Sequence, residues 1–131
     1  PFFDIFSVVA ITMVVNEAEE VALLKPKYMS EQYYNFVSGY VQPGEEAELC
    51  AAREVQEEIG VQARDVHFVC SQWESEQLML LLGFVARATK GDFTLSEEIN
   101  AAKWVPAAEA LNLVYPEGNI THTLLTKYLQ R

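Results

Sequence analysis

Basic residues are scarce in this chain. Nine Lys and Arg stand against 19 Asp and Glu in 131 residues, a formal net charge of -10. A phosphate backbone needs a basic face to neutralise it, so a nucleic-acid duplex is excluded as the main partner. Cysteine is scarcer still. Cys50 and Cys70 stand alone, with no CxxC pair, which excludes a disulfide framework and a zinc site and makes the reducing cytoplasm the expected compartment. Long apolar runs are missing. The longest, Ile5 to Val15, is interrupted by Ser7 and Thr12 and is too short to cross a bilayer. It carries neither a basic leader region nor a cleavage site, so no membrane partner is expected. Repeats, linkers and low-complexity segments are absent as well. What is there is 50% hydrophobic residues, enough in a chain of this size to bury a core without covalent staples. One domain over 1–131 is the expectation.

Periodicity divides the chain. Phe6–Val15 is β-branched and aromatic and reads as a buried strand, followed after the polar break Asn16–Glu19 by a second strand, Glu20–Pro26, in a hairpin. Lys27–Tyr34 reads as a polar, aromatic loop, and Asn35–Val41 as a short extended piece ending in the turn Gln42-Pro43-Gly44. From Glu45 to Ile59 the period changes to 3.6, with Ala51, Ala52, Val55 and Ile59 on one face and Gly60 placed to end the helix. Val66–Ser71, Gln77–Ala88 and Ala101–Val105 read as strands, Lys90-Gly91-Asp92 as a turn, and Pro106–Leu111 as a turn or two of helix. A terminal helix, Asn119–Leu129, is capped by Asn119 or Thr121. Strands with helices packed on them predict an α/β sandwich.

The central helix is the informative segment. Glu54, Glu57 and Glu58 fall at i, i+3 and i+4 and share one face, where like charges repel by a few tenths of a kcal/mol per pair. Hard oxygen ligands clustered in this way suit Mg²⁺, or Mn²⁺, which offsets the repulsion. Arg53, at the edge of that face, is placed to fix a carboxylate such as Glu45 through a bidentate contact. An exposed acidic helix supported by Arg53 would show the same local pattern.

The stretch Gly39 to Val61, GYVQPGEEAELCAAREVQEEIGV, resembles the Nudix box, Gly-x5-Glu-x7-Arg-Glu-apolar-x-Glu-Glu-x-Gly-apolar. Gly39, Glu45, Arg53, Glu54, Val55, Glu57, Glu58, Gly60 and Val61 keep every residue and spacing. The resemblance implies an α/β/α sandwich on a mixed β-sheet covering nearly all of the chain, and hydrolysis of a nucleoside diphosphate linked to another moiety. It implies that Glu54, Glu57, Glu58 and the carbonyl of Gly39 hold Mg²⁺, that Arg53, Glu57 and Glu58 serve catalysis, and that Glu45 braces the loop. The metal would neutralise the diphosphate and lower the pKa of the attacking water.

Downstream, Ser71-Gln72-Trp73 and Leu78-Met79, then Gly83-Phe84, together with Tyr40-Val41 after Gly39, are similar to the NADH diphosphatase branch. Its SQPWPFPxSLM segment is altered here to Trp73-Glu74-Ser75-Glu76, and the 131 residues hold no zinc ribbon, so a shorter relative with a different substrate is expected. By its spacing to Trp104, Glu98 matches the branch's glutamate outside the box, a metal ligand or base, with Glu97 beside it. Tyr40 matches its base-stacking aromatic. Phe36, Gln72 and Trp73 are further candidates for the nucleotide pocket, and the branch's habit of pairing subunits adds a homodimer. NAD(H), ADP-ribose and related dinucleotides are the first substrates expected. Modified nucleoside triphosphates, a non-catalytic nucleotide-sensing module and a plain acidic interaction protein are the alternatives.

Overall fold

A computed structural model describes residues 5–29 and 32–131. Residues 30 and 31, inside the loop read from Lys27 to Tyr34, lie outside the described residues. The strands are β1 (Ser7–Val15), β2 (Glu20–Pro26), β3 (Val37–Tyr40), β4 (Arg64–Glu74), β5 (Met79–Arg87) and β6 (Ile99–Pro106). The helices are α1 (Ala47–Ile59), α2 (Ala107–Ala110) and α3 (Ile120–Leu129).

The strands form one mixed sheet in the order β4-β5-β1-β2-β6. Only the β1–β5 pair is parallel among the strand pairs of the described residues. Alternation along β1 sorts its side chains to two faces. Val9, Ile11, Met13 and Val15 pack under α2 and α3, with Phe36, Leu124 and Leu125. Ala10 and Val14 pack on the other side, under the α1 residues Cys50, Ala51, Val55 and Ile59. Both faces of β1 are buried, which is why its sequence reads as an unbroken apolar run. The α/β/α sandwich expected from the sequence is therefore present.

Two features position the site, the second of them a departure from that reading. First, β3 does not continue the edge of β2. It pairs with the first half of β1, Val9 opposite Tyr40 and Thr12 opposite Val37, while β2 meets β1 only near Val15 and Val21 and then runs out along β6. A single bridge, Leu24 to Asn35, links the two, so β2 and β3 diverge and leave a gap. Second, no tight turn forms at Lys90–Asp92. Residues 88–96 are irregular and lie along the end of α1, where Thr94 N–H donates to Ile59 O at 2.9 Å and Ser96 N–H to Glu58 O at 3.0 Å. These bonds satisfy carbonyls that a helix end leaves unpaired. β4 also extends beyond the expected Val66–Ser71, because its ladder with β5 continues through polar residues exposed on an edge strand.

Among the described residues no helix is long and apolar enough to cross a membrane. Gly60 ends α1 with φ +70°. A Cβ there would stand 2.7 Å from the Thr94 side chain. Replacing Gly60 with Ala is expected to cost about 1–2 kcal/mol for the left-handed backbone alone, read as a lower urea midpoint with an unchanged slope. A midpoint equal to that of the wild type would show that this cap is dispensable.

Candidate active site

The last two turns of α1 and the segment 96–98 face each other. A cleft of about 330 Å³ is lined there by Glu54, Glu57, Glu58, Ser96, Glu97 and Glu98. The docking of 94–98 onto the helix end is what carries Glu97 and Glu98 to the helix carboxylates. A hollow of about 440 Å³ lies at Gly60, Arg64, Thr89 and Asp92, but it has one carboxylate beside one guanidinium, and the chemistry concentrates in the smaller cleft.

Arg53 organises the acids. Its Nε donates to Glu45 Oε2 at 2.7 Å and its Nη2 to Glu45 Oε1 at 3.0 Å, a bidentate pair. Nη1 reaches Glu54 Oε1 at 2.7 Å and Glu57 Oε2 at 3.0 Å, and Nη2 also reaches Tyr40 O at 3.3 Å. Glu45 additionally accepts from Gln42 N–H. These bonds hold its carboxyl down at about 2, Arg53 contributing most. Glu45 thus lies before the helix, which begins at Ala47 rather than Glu45, and it ties the preceding loop to Arg53.

Glu58 differs from its neighbours. The helical spacing places it on the acidic face, yet it is only 6% exposed and one of its oxygens, Oε2, is buried without a hydrogen-bond partner. Burial, reinforced by the charges of Glu54 and Glu98, pushes its carboxyl up to about 8, against a smaller pull from the Ser38 N–H. Glu54 also rises, because burial outweighs the guanidinium beside it. The acids crowd the C-terminal end of α1, where the helix dipole is negative and the last turn holds no base. Each of these features calls for a cation.

The donor set fits a hard divalent ion such as Mg²⁺: carboxylate oxygens, one of them orphaned, with no thiol or imidazole lining the cleft. Among the described residues no three His, Cys, Asp or Glu side chains already converge as a finished cage, since Arg53 draws Glu54 and Glu57 to itself. Gly39 belongs to the same construction. A Cβ on it would lie 2.1 Å from Glu54 Cδ, so only glycine lets the helix carboxylate pack against β3. Its carbonyl lies 3.9 Å from the buried thiol of Cys50, which donates to Tyr40 O at 3.4 Å.

The aromatic candidates separate. Tyr40, the last residue of β3, is 61% exposed and, like the others, outside the residues that line the cleft. Phe36 is a correction: it is fully buried in the core under α3, because a residue entering β3 with that alternation points into the sandwich, and it cannot meet a ligand there. Gln72 and Trp73 stand on edge strand β4. The Gln72 amide donates to Gly118 O at 3.1 Å, and Trp73 packs edge-on against Phe6, both outside the residues that line the cleft. Sequence reasoning passed over Tyr28 and Ser38. The Tyr28 hydroxyl is 3.2 Å from Ser38 Oγ, and Glu58, Glu98 and Tyr40 face it closely enough to raise its pKa, after burial. Nothing in the motif's spacing marks a residue in the turn after β2.

Comparison with known proteins agrees with this geometry. The NUDIX domain model matches residues 6–125. The chain is 30% identical over 120 residues to an NAD-capped RNA hydrolase NudC of Photobacterium profundum, covering 91% of this chain and 45% of that protein. It is 32% identical over 120 residues to that of Stutzerimonas stutzeri, covering 91% and 43%. The chain thus spans less than half the length of the curated relatives it matches. The NUDIX domain of Shewanella oneidensis NrtR, solved in complex with ADP ribose, superposes with a TM-score of 0.80 at 14% identity, covering 98% of this chain and 90% of that one, a likeness of fold.

A pH dependence follows from Glu58. Its carboxyl titrates near 8 when folded and near 4.5 when exposed, so between those values the native state binds the extra proton and stability falls as pH rises. The groups held low, Glu45 and Glu19 at about 2, act below that window. Urea unfolding without metal is therefore expected to weaken from pH 4.5 to 8, with a shallower decline in Glu58→Gln. Equal slopes for the two proteins would refute the assignment.

Proposed function

This chain belongs to the Nudix family, and we propose that it hydrolyses the diphosphate bond of a nucleoside diphosphate derivative, with NAD(H), ADP-ribose and related dinucleotides first. The observation that carries this reading is the acidic cleft in which Glu58 keeps a buried, unpartnered oxygen. Carboxylates alone repel a diphosphate, so a cleft built from them makes sense only with a cation between protein and substrate.

Glu54, Glu57, Glu58 and the Gly39 carbonyl would hold Mg²⁺ (or Mn²⁺). The ion supplies charge neutralisation, polarisation of phosphorus and a lowered pKa for the attacking water. The chain's own residues then do the rest. Arg53 and Glu45 keep the loop 40–45 and the helix in fixed register. Glu98, brought to the cleft by the segment docked on α1, is the carboxylate that would accept a proton. The exposed Tyr40 ring offers a face for stacking a base. The whole stretch acts as one Nudix domain, in the cytoplasm, where both free thiols stay reduced, and the homodimer expected from the branch goes with it. The NAD cap in the name of its NAD-capped RNA hydrolase relatives favours an NAD-type diphosphate, and the ADP ribose held by the NrtR domain favours the same half-molecule.

A panel of NAD(H), ADP-ribose, dinucleotides and modified nucleoside triphosphates, assayed with Mg²⁺ for mononucleotide or phosphate release, tests this. Turnover of a dinucleotide or ADP-ribose is expected, and Glu57→Gln is expected to lower it about 100-fold or more. Mg²⁺ at millimolar concentration is expected to raise the wild-type melting temperature, since it binds the native state. Equal turnover by the two proteins would sink the metal assignment, and binding without turnover of any panel member would make this a nucleotide-sensing domain.

A further inference from the structure

Every side chain lining the cleft is an acceptor or a weak donor: five glutamates and the Ser96 hydroxyl. A diphosphate is itself all acceptor. The nearest guanidinium, Arg53, is spent on Glu45, Glu54 and Glu57. A cation would cover some of the phosphate oxygens, and the others need an N–H or O–H from the protein. A neutral donor would serve here without pairing with the glutamates, as a free lysine or arginine would.

Tyr28 meets that description. Its turn is fastened on three sides: Lys27 N–H donates to Glu98 O at 2.8 Å, Met29 N–H to Pro26 O at 3.3 Å, and the Asn35 amide to Met29 Sδ at 3.3 Å. The turn therefore stays beside the acidic loop. The side chain reaches from the end of β2 across the gap to β3, and its hydroxyl is 3.2 Å from Ser38 Oγ. That is long for an O–H···O bond, which is commonly about 2.7–2.8 Å, so exchanging it for a charged acceptor gains energy. Ser38 in turn holds Glu58 through its backbone N–H, which places the phenol one residue from the metal-binding face. Glu58, Glu98 and Tyr40 are the titratable groups facing it. Burial first, and then these groups, raise its pKa above the ordinary phenol value, so it stands as a neutral donor. The residue as a whole is 63% exposed, so it contributes little to the core.

We propose that Tyr28 is a substrate contact: its hydroxyl turns from Ser38 and donates a hydrogen bond to a non-bridging oxygen of the diphosphate. This rests on the functional reading above. The test is Tyr28→Phe, which removes one oxygen from an exposed ring. Against whichever panel substrate the wild type hydrolyses, kcat/KM is expected to fall about 10- to 100-fold, the size of a lost hydrogen bond to a charged group, with the melting temperature and the Mg²⁺ requirement unchanged. Turnover within twofold of the wild type overturns the contact. So does a Tyr28→Leu variant that loses activity while Tyr28→Phe keeps it, which would move the role to the ring. Calorimetric titration with α,β-methylene ADP separates this inference from the reading beneath it. If the wild type hydrolyses nothing but binds the analogue, the functional reading fails alone, and about tenfold weaker binding by Tyr28→Phe still sustains the contact, whereas equal binding removes it. A wild type that neither hydrolyses nor binds overturns both.

Discussion

The site hangs on one guanidinium. Arg53 makes two parallel bonds to Glu45 and single bonds to Glu54, Glu57 and the Tyr40 carbonyl. It therefore joins the loop after β3 to two successive turns of α1. A lysine could not replace it, because one ammonium on a flexible stem cannot present that fork. The same bonds decide how the carboxylates stand when no other cation is near. Glu54 and Glu57 lean to Arg53, and Glu58, out of its reach, keeps its proton instead. Were those two carboxylates to turn to the metal proposed above, the bidentate pair with Glu45 would still hold the guanidinium in place.

Packing explains why the strain persists. Val55 and Ile59 anchor α1 on the sheet, and Gly39 lets the helix approach so closely that a single methyl would strike Glu54. Glu58 is dragged inward with its apolar neighbours. The backbone bonds from Thr94 and Ser96 to the helix end then add two more carboxylates to a place where the helix dipole already repels them. Such an arrangement costs stability in the free protein. Its retention makes sense if binding a cation recovers that cost.

Much of this was readable from residues. The 3.6 period of α1, the Gly60 stop and the alternation of the strands follow from local chemistry, and those elements lie within a few residues of their expected ends. The acidic face follows from helical spacing, the Arg53–Glu45 pair was expected from a guanidinium at the edge of that face, and Glu98 came from the resemblance to the branch through its spacing to Trp104. What escaped depends on tertiary packing. Phe36 looked like a pocket aromatic because sequence shows an aromatic near a motif and not which way β3 turns it. The burial of Glu58 escaped because a wheel shows only that it shares a face with Glu54 and Glu57, not that 94–98 docks on its turn. Tyr28 and Ser38 escaped because the gap they bridge is made by β3 leaving β2 for β1, a pairing between distant residues with no local signature.

The charge of -10 takes on a different meaning once its placement is known. Other acids of the chain are matched locally: Glu19 by Arg87, Arg131 and the Tyr128 hydroxyl, and Glu20 by Lys90. Those pairs tie the β1–β2 hairpin to β5, α3 and the segment beyond β5, and being partly exposed they do little beyond that. The cleft differs because one guanidinium reaches only two of its five glutamates, Glu54 and Glu57. An excess of negative charge spread over a surface keeps a protein soluble. The same excess focused into a partly buried cleft sets up an attraction for divalent cations that bulk composition cannot reveal. Through the cation proposed for this cleft, an acidic protein would acquire the means to hold a substrate that is itself an anion.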